Sequence, residues 1–178
     1  GEVLQLSKVR DASTSEETYM EVIRGKTAML FEASSHSAAV LAGADEVQTE
    51  ALRVFGDHLG VAFQLMDDLL DYRGDAQAMG KNVGDDLAEG KPTLPLIHAM
   101  REGTPAQAEL VRKAIQQGGS QDIESIRATV EAAGSLDYTA QLARDFAEKA
   151  IQCLSTLPAS QYRDALSELT RFAVARSN

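Results

Sequence analysis

In the segment FQLMDDLLD, residues 63–71, three aspartates interrupt an otherwise apolar stretch. Gln64, Asp67, Asp68 and Asp71 follow the spacing i, i+3, i+4, i+7, which on a helix confines them to an arc of about 100°. The surrounding positions, Val61, Ala62, Phe63, Leu65, Met66, Leu69 and Leu70, are apolar nearly all the way round, so this helix is expected to be buried. Like charges at i,i+4 cost a helix about 0.2–0.5 kcal/mol per pair, and anions near a helix C-terminus oppose its dipole. A cation would offset both penalties. Asp67, Asp68 and Asp71 are therefore candidate ligands for Mg2+, a hard ion that takes one or two carboxylates, several waters and phosphate oxygens. Pairing with lysines at a helix–loop junction is the other use of such acids. The apolar flanks and the loop that follows favour the metal.

That loop, RGDAQAMGKNVGDDLAEGK over residues 73–91, carries Lys81 after Gly80 and Lys91 after Gly90. Glycine beside a lysine lets the backbone approach closely, and the ammonium is a compact point charge suited to phosphate oxygens. Metal and lysines together describe a diphosphate clamp, although Asp85 and Asp86 are placed to neutralise the lysines instead. A third polar interruption, Gly25-Lys26-Thr27, breaks an apolar helical pattern upstream. Read alone, Lys26 is a snorkelling surface residue.

These residues need long helices to hold them. Thr14-Ser15-Glu16-Glu17 reads as a capping box opening a helix that runs to about Leu41 and ends at Gly43. A second long helix is expected from about Asp45 to Tyr72, with the acidic stripe in its last third. Residues 74–91 read as a glycine-punctuated loop. Shorter helices are expected over 93–101, from Thr104-Pro105 to Gly118, from Ser120 to Gly134, over 135–155 and over 159–176. Strand-like alternation is absent. Residues 1–178 thus read as one all-α helical bundle.

Composition narrows the functions available. The chain has 178 residues, 44% of them hydrophobic, enough for one globular core. Its formal charge of −10 argues against wrapping nucleic acid. No apolar run approaches the roughly 20 residues of a membrane span. The single cysteine, Cys153, has no internal disulfide partner and reads as a small core residue, in keeping with a reducing cytoplasm. His36, His58 and His98 lack metal-ligand spacing. The chain opens on GEVLQL in mid-pattern without a methionine, which is read as part of a longer protein.

FQLMDDLLDYRGD followed by GKNVGDDLAEGKPTLPLI resembles the second aspartate-rich region of trans-type polyprenyl diphosphate synthases. Lys26-Thr27 within IRGKTAMLFEAS matches the family's lysine–threonine pair, and Glu2 and Gln5 match its glutamate–glutamine helix. The tail YRDALSELTRFAVARSN looks most like bacterial octaprenyl-type enzymes that make a quinone side chain. The resemblance implies an isoprenoid synthase helical bundle, a homodimer, and Mg2+-dependent condensation of an allylic prenyl diphosphate with isopentenyl diphosphate. It implies Asp67, Asp68 and Asp71 as metal ligands, with Asp67 the surest and Asp71 acting through water. Lys26, Lys81 and Lys91 would contact the allylic diphosphate. Thr27 and Gln64 would lie near the reacting carbons, with Phe63 lining the isopentenyl pocket.

The resemblance covers nearly all of this chain but only about half of the family's domain. The first aspartate-rich motif, the arginine pair after it and the basic residues for isopentenyl diphosphate are not in the sequence. The expectation is a C-terminal half that is inactive by itself, its N-terminal half being a separate chain or a cleaved fragment. A noncatalytic partner subunit is the alternative, but such subunits commonly degrade the acidic motif retained here. A terpene cyclase would carry a mixed Asn/Ser/Glu metal helix, which FQLMDDLLD does not match.

Overall fold

A computed structural model describes residues 1–73, 84–118 and 123–176, and every regular element among them is a helix. In chain order these are α1 (Glu2–Lys8), α2 (Glu16–Ile23), α3 (Met29–Leu41), α4 (Glu46–Arg73), α5 (Asp85–Ala88), α6 (Leu94–Glu102), α7 (Pro105–Gln117), α8 (Ile123–Ala132), α9 (Ser135–Cys153) and α10 (Gln161–Ala175). No described helix is long and apolar enough to cross a membrane.

Helix α4, 28 residues and hence about 42 Å long, is the axis of the bundle. Its apolar residues Val61, Leu65, Met66, Leu69 and Leu70 are buried, as the sequence requires. Helices α3 and α9 pack along it, and α10 closes over α9 and α4. One core joins Tyr19, Ile23, Leu65, Leu69 and Tyr72 to residues of α6, α7, α8 and α9, and a smaller one gathers Phe55, Leu59, Ala150, Leu154 and Ala173.

Two glycines on α4 set the distance to α3. A Cβ at Gly56 would stand 2.5 Å from the Phe31 carbonyl oxygen, and one at Gly60 would stand 2.5 Å from Ala28 Cα. Each glycine costs a helix interior about 1 kcal/mol against alanine. The backbones meet here because no side chain separates them.

Between α2 and α3 the helix does not stop but widens into a π-turn over Arg24–Ala28. Such turns insert one extra residue and are frequent at functional sites. Here the turn contains Lys26 and Thr27, and Gly1 packs against the Gly25–Lys26 backbone.

The helix ends show where sequence signals held. Thr104 and Gln107 form a capping box, and Asp45 Oδ1 accepts from the Gln48 amide at 2.8 Å. One expectation is corrected. The cap of α2 is Ser15, whose Oγ accepts from the Thr18 amide at 3.2 Å, while Thr14 is buried and donates to the Asp11 carbonyl at 2.8 Å. Residues 85–88 are helical rather than loop; residues 74–83 and Ser120 lie outside the described residues.

Candidate functional site

The π-turn and the acidic third of α4 face each other across the close approach at Gly60. One turn beyond that contact, Thr27 Oγ1 donates to Gln64 Oε1 at 2.6 Å. Gln64 Nε2 donates to Asp68 Oδ1 at 2.7 Å, and Tyr19 Oη donates to Asp68 Oδ2 at 2.6 Å. Tyr19 and Asp68 are 4% and 3% exposed, so this chain of bonds runs into the protein interior. Burial, with the Asp86 charge, pushes the Asp68 carboxyl up to about 7, and the two donated bonds restrain the rise. Burial likewise holds the Tyr19 hydroxyl far above its ordinary value.

The aspartate stripe is not uniform. Asp67 is exposed, Asp68 is buried and Asp71 is half-buried. Asp71 Oδ2 accepts from the Asp86 backbone amide at 3.3 Å, and its carbonyl accepts from Gly84 at 3.0 Å, which docks α5 against the end of α4. Gly84 has φ of +83°, so a side chain there would be strained. Burial first, then the Asp86 charge, pushes Asp71 up to about 6.

Lys91 bridges Asp86 at 3.0 Å and Glu89 at 2.8 Å. Burial alone would lower its ammonium; these contacts outweigh burial and raise it well above the ordinary range. Lys26 is exposed, and its charge helps Lys91 hold Glu89 below the usual carboxylate range. The two lysines thus bear on one small acidic neighbourhood. Lys81 lies outside the described residues. Phe63, half-buried, tilts against Phe31 at 5.6 Å and lies under the Arg176 guanidinium at 4.4 Å.

Among the described residues no three metal-ligating side chains converge on a point. A closed cage is not what Mg2+ needs, since one or two carboxylates suffice beside water and phosphate. Asp67 offers an accessible hard oxygen donor. Asp71 carries a repulsion from Asp86 that a cation would relieve. Those two fit the ion. Asp68 fits poorly, because it is 3% exposed and enclosed by Tyr19 and Gln64.

The polyprenyl synthetase family model matches residues 1–133. The chain belongs to that family. It is 52% identical over 178 residues to the octaprenyl diphosphate synthase of Haemophilus influenzae, covering 99% of this chain and 54% of that protein. It is 51% identical over 177 residues to the octaprenyl diphosphate synthase of Escherichia coli, covering 99% of this chain and 55% of that one. Among solved structures, a decaprenyl diphosphate synthase from Rhodobacter capsulatus superimposes with a TM-score of 0.91 at 39% identity, covering 99% of this chain and 55% of that chain. A polyprenyl synthase from Caulobacter crescentus, complexed with calcium and isoprenyl diphosphate, also gives 0.91, at 45% identity and the same coverage. The fold is therefore the all-α fold of the isoprenyl diphosphate synthases. The chain spans about half the length of the curated relatives it matches.

Within this member of the polyprenyl synthetase family, the structure brings Thr27, Gln64 and Asp68 into contact and sets Lys91 on Asp86. Tyr19 is a polar partner that the sequence reading did not single out. No pattern within its own helix marks that role, because the partner lies 49 residues away on α4. Arg176 over Phe63 had no local signal, for the pair is far apart in sequence.

Proposed function

We propose that this chain is the C-terminal half of a trans-prenyl transferase that condenses an allylic prenyl diphosphate with isopentenyl diphosphate, most plainly for a long, octaprenyl-like product. The observation that carries the reading is the juxtaposition on α4. A half-buried acidic edge, in which Asp86 repels Asp71, stands beside Lys26 and Lys91, and the Thr27–Gln64 pair borders it. Names of relatives near 50% identity support the same chemistry and the long-chain product.

Each side chain then has a task. Lys26, Lys81 and Lys91 hold the allylic diphosphate, Lys91 exchanging Asp86 and Glu89 for phosphate oxygens. Asp67 and Asp71 would hold Mg2+, which supplies positive charge to the departing diphosphate. The allylic carbon–oxygen bond breaks with its electron pair leaving on the diphosphate. The isopentenyl double bond attacks the cation, and loss of a proton restores a neutral chain five carbons longer. Thr27 and Gln64 turn oxygen lone pairs toward the reacting carbons, and Phe63 lines the isopentenyl side. Water must be excluded, because hydrolysis would otherwise capture the cation.

The reading includes a cytoplasmic homodimer and an N-terminal half carrying the opposing aspartates. Exposed apolar residues on α3, Leu30, Val40 and Leu41, support a further covering surface. The test is twofold. The 178-residue chain alone is expected to give no prenyl transfer; turnover by a sample of verified intact mass would overturn the need for a second half. In the full-length protein, Asp67→Ala is expected to lower Mg2+-dependent kcat at least about a hundredfold with the fold retained. An unchanged kcat would remove Asp67 from the metal site.

A further inference from the structure

We propose that Asp68 is a positioning residue and not a metal ligand, and that Tyr19 is its anchor. Two carboxylates adjacent in sequence then act differently: Asp67 faces the cation, while Asp68 fixes the orientation of Gln64 and, through it, Thr27. The inference rests on the prenyl-transfer reading for what Thr27 and Gln64 act upon, and on the hydrogen bonds alone for what Asp68 does.

Successive helix residues point about 100° apart, so Asp67 and Asp68 cannot share one outlook. Asp67 reaches solvent; Asp68 is 3% exposed. Both Asp68 oxygens are engaged, one by Tyr19 at 2.6 Å and one by Gln64 at 2.7 Å. A hydrated cation has no open path to a carboxylate so enclosed. The bond to Tyr19 joins residues 49 apart in sequence and ties α2 to α4.

The network also has a direction. Tyr19 donates to one Asp68 oxygen, and the Gln64 amide turns its NH2 end toward the other. Its carbonyl end then faces Thr27, and Thr27 must donate its only hydroxyl proton to it. What remains at the end of the chain is the lone-pair face of Thr27 Oγ1, in the π-turn beside Lys26. A positive carbon meets an acceptor there, not a donor. Removing the Tyr19 hydroxyl frees Asp68 to swing, and the order of donors and acceptors is no longer imposed.

Full-length protein carrying Tyr19→Phe, Asp68→Asn, Asp67→Ala, Gln64→Ala and the Tyr19→Phe/Gln64→Ala pair tests this, with Tyr138→Phe as a hydroxyl-removal control away from the stripe. Tyr19→Phe is expected to lower kcat about tenfold to a hundredfold, the worth of a hydrogen bond to a charged group, while KM for the allylic diphosphate stays within about threefold. In the Gln64→Ala background the same change should cost less than about threefold, because the two residues act as one unit. Binding of Mn2+ with inorganic pyrophosphate, followed by electron paramagnetic resonance, should weaken at least about tenfold in Asp67→Ala and stay within about threefold in Asp68→Asn. The 13C-labelled methyl resonance of Thr27 should move in Tyr19→Phe and Asp68→Asn, which mere loss of stability would not produce.

Asp68→Asn losing Mn2+ as severely as Asp67→Ala would make Asp68 a ligand and overturn the proposal. Tyr19→Phe with wild-type kcat and an unmoved Thr27 methyl would overturn the anchor. Absence of prenyl transfer in wild-type full-length protein would instead fail the functional reading, and the Mn2+ and methyl measurements would still decide the role of Asp68.

Discussion

Asp68 and Asp71 lie one turn apart on the same face of α4, and their charges are accommodated in opposite ways. Asp68 is enclosed by neutral donors, the Tyr19 hydroxyl and the Gln64 amide, each drawn to it at hydrogen-bond distance. The Asp86 charge raises both carboxyls, but Asp71 is half-buried at the edge and accepts a backbone amide of α5 in place of side-chain donors. Neutral donors moderate the cost of enclosing a carboxylate, whereas a carboxylate at the edge is open to a cation from outside. The first arrangement is a finished piece of structure. The second is where a cationic ligand gains most.

The two carboxyls make the stability of the protein depend on pH. Asp68 is pushed up to about 7 and Asp71 to about 6, in each case by burial first and the Asp86 charge second. The folded state binds these protons more tightly than the unfolded chain does. Their stabilising contribution is therefore complete below about pH 4 and lost as pH rises through 6 and 7. Carboxyls held below their ordinary values, such as Asp57 beside His58 and Arg24, lose their contribution only at lower pH and leave this window alone. His98, lowered by burial and then by Arg101, works in the opposite direction near pH 6.5. Metal-free protein is expected to lose roughly 5–10 °C of thermal midpoint between pH 5 and pH 8. Asp68→Asn should flatten most of that slope; a slope identical to wild type in calorimetry would mean Asp68 is not the buried proton site.

A bulkier residue at position 60 separates the two arms of the site, the Thr27–Gln64–Asp68 network and the Asp71 edge, mechanically. Gly60→Val places a side chain against Ala28, where a Cβ alone would come within 2.5 Å of a backbone carbon. Overpacking of this kind costs about 1–3 kcal/mol. It should push the π-turn away from α4, parting Thr27 from Gln64 while leaving Asp71 and α5 in place. Urea denaturation measures the stability, and the Thr27 methyl resonance reports the local displacement. A stable variant with an unmoved resonance would show that the close approach at Gly60 does not set the Thr27–Gln64 contact.

These two arms were unequally legible in the sequence. Periodicity and caps fix neighbours within one helix, so α4, its stripe and the ends at Thr104, Gly118 and Gly134 were readable. Gln64 and Asp68 were placed together for the same reason, being four residues apart. Tyr19 with Asp68 and Thr27 with Gln64 are contacts between helices, set by Gly56, Gly60 and the π-turn, and no single-helix pattern encodes them. The stripe therefore read as three metal-ligand candidates on one face, graded only by the family resemblance. Its division into exposed, buried and half-buried members came from what packs against each. The pairing of Lys91 with Asp86 was foreseeable from spacing as one of two options, and the structure takes the neutralising one.

The smallest effect sharpens the edge arm alone. Asp71→Asn removes one of two repelling carboxylates, yet Asn keeps an oxygen to accept from the Asp86 amide at 3.3 Å. Part of the burial penalty on the charge goes too. Metal-free protein at pH 8 should gain about 0.5–1 kcal/mol from the substitution, a shift of about 1–4 °C in midpoint. Adding Mg2+ to wild type under the same conditions should give a rise of similar size through binding linkage, and the variant should respond less. The two stabilisations are alternatives, since each relieves the same repulsion, so they should not add. Full additivity in differential scanning calorimetry would place the ion elsewhere than beside Asp71.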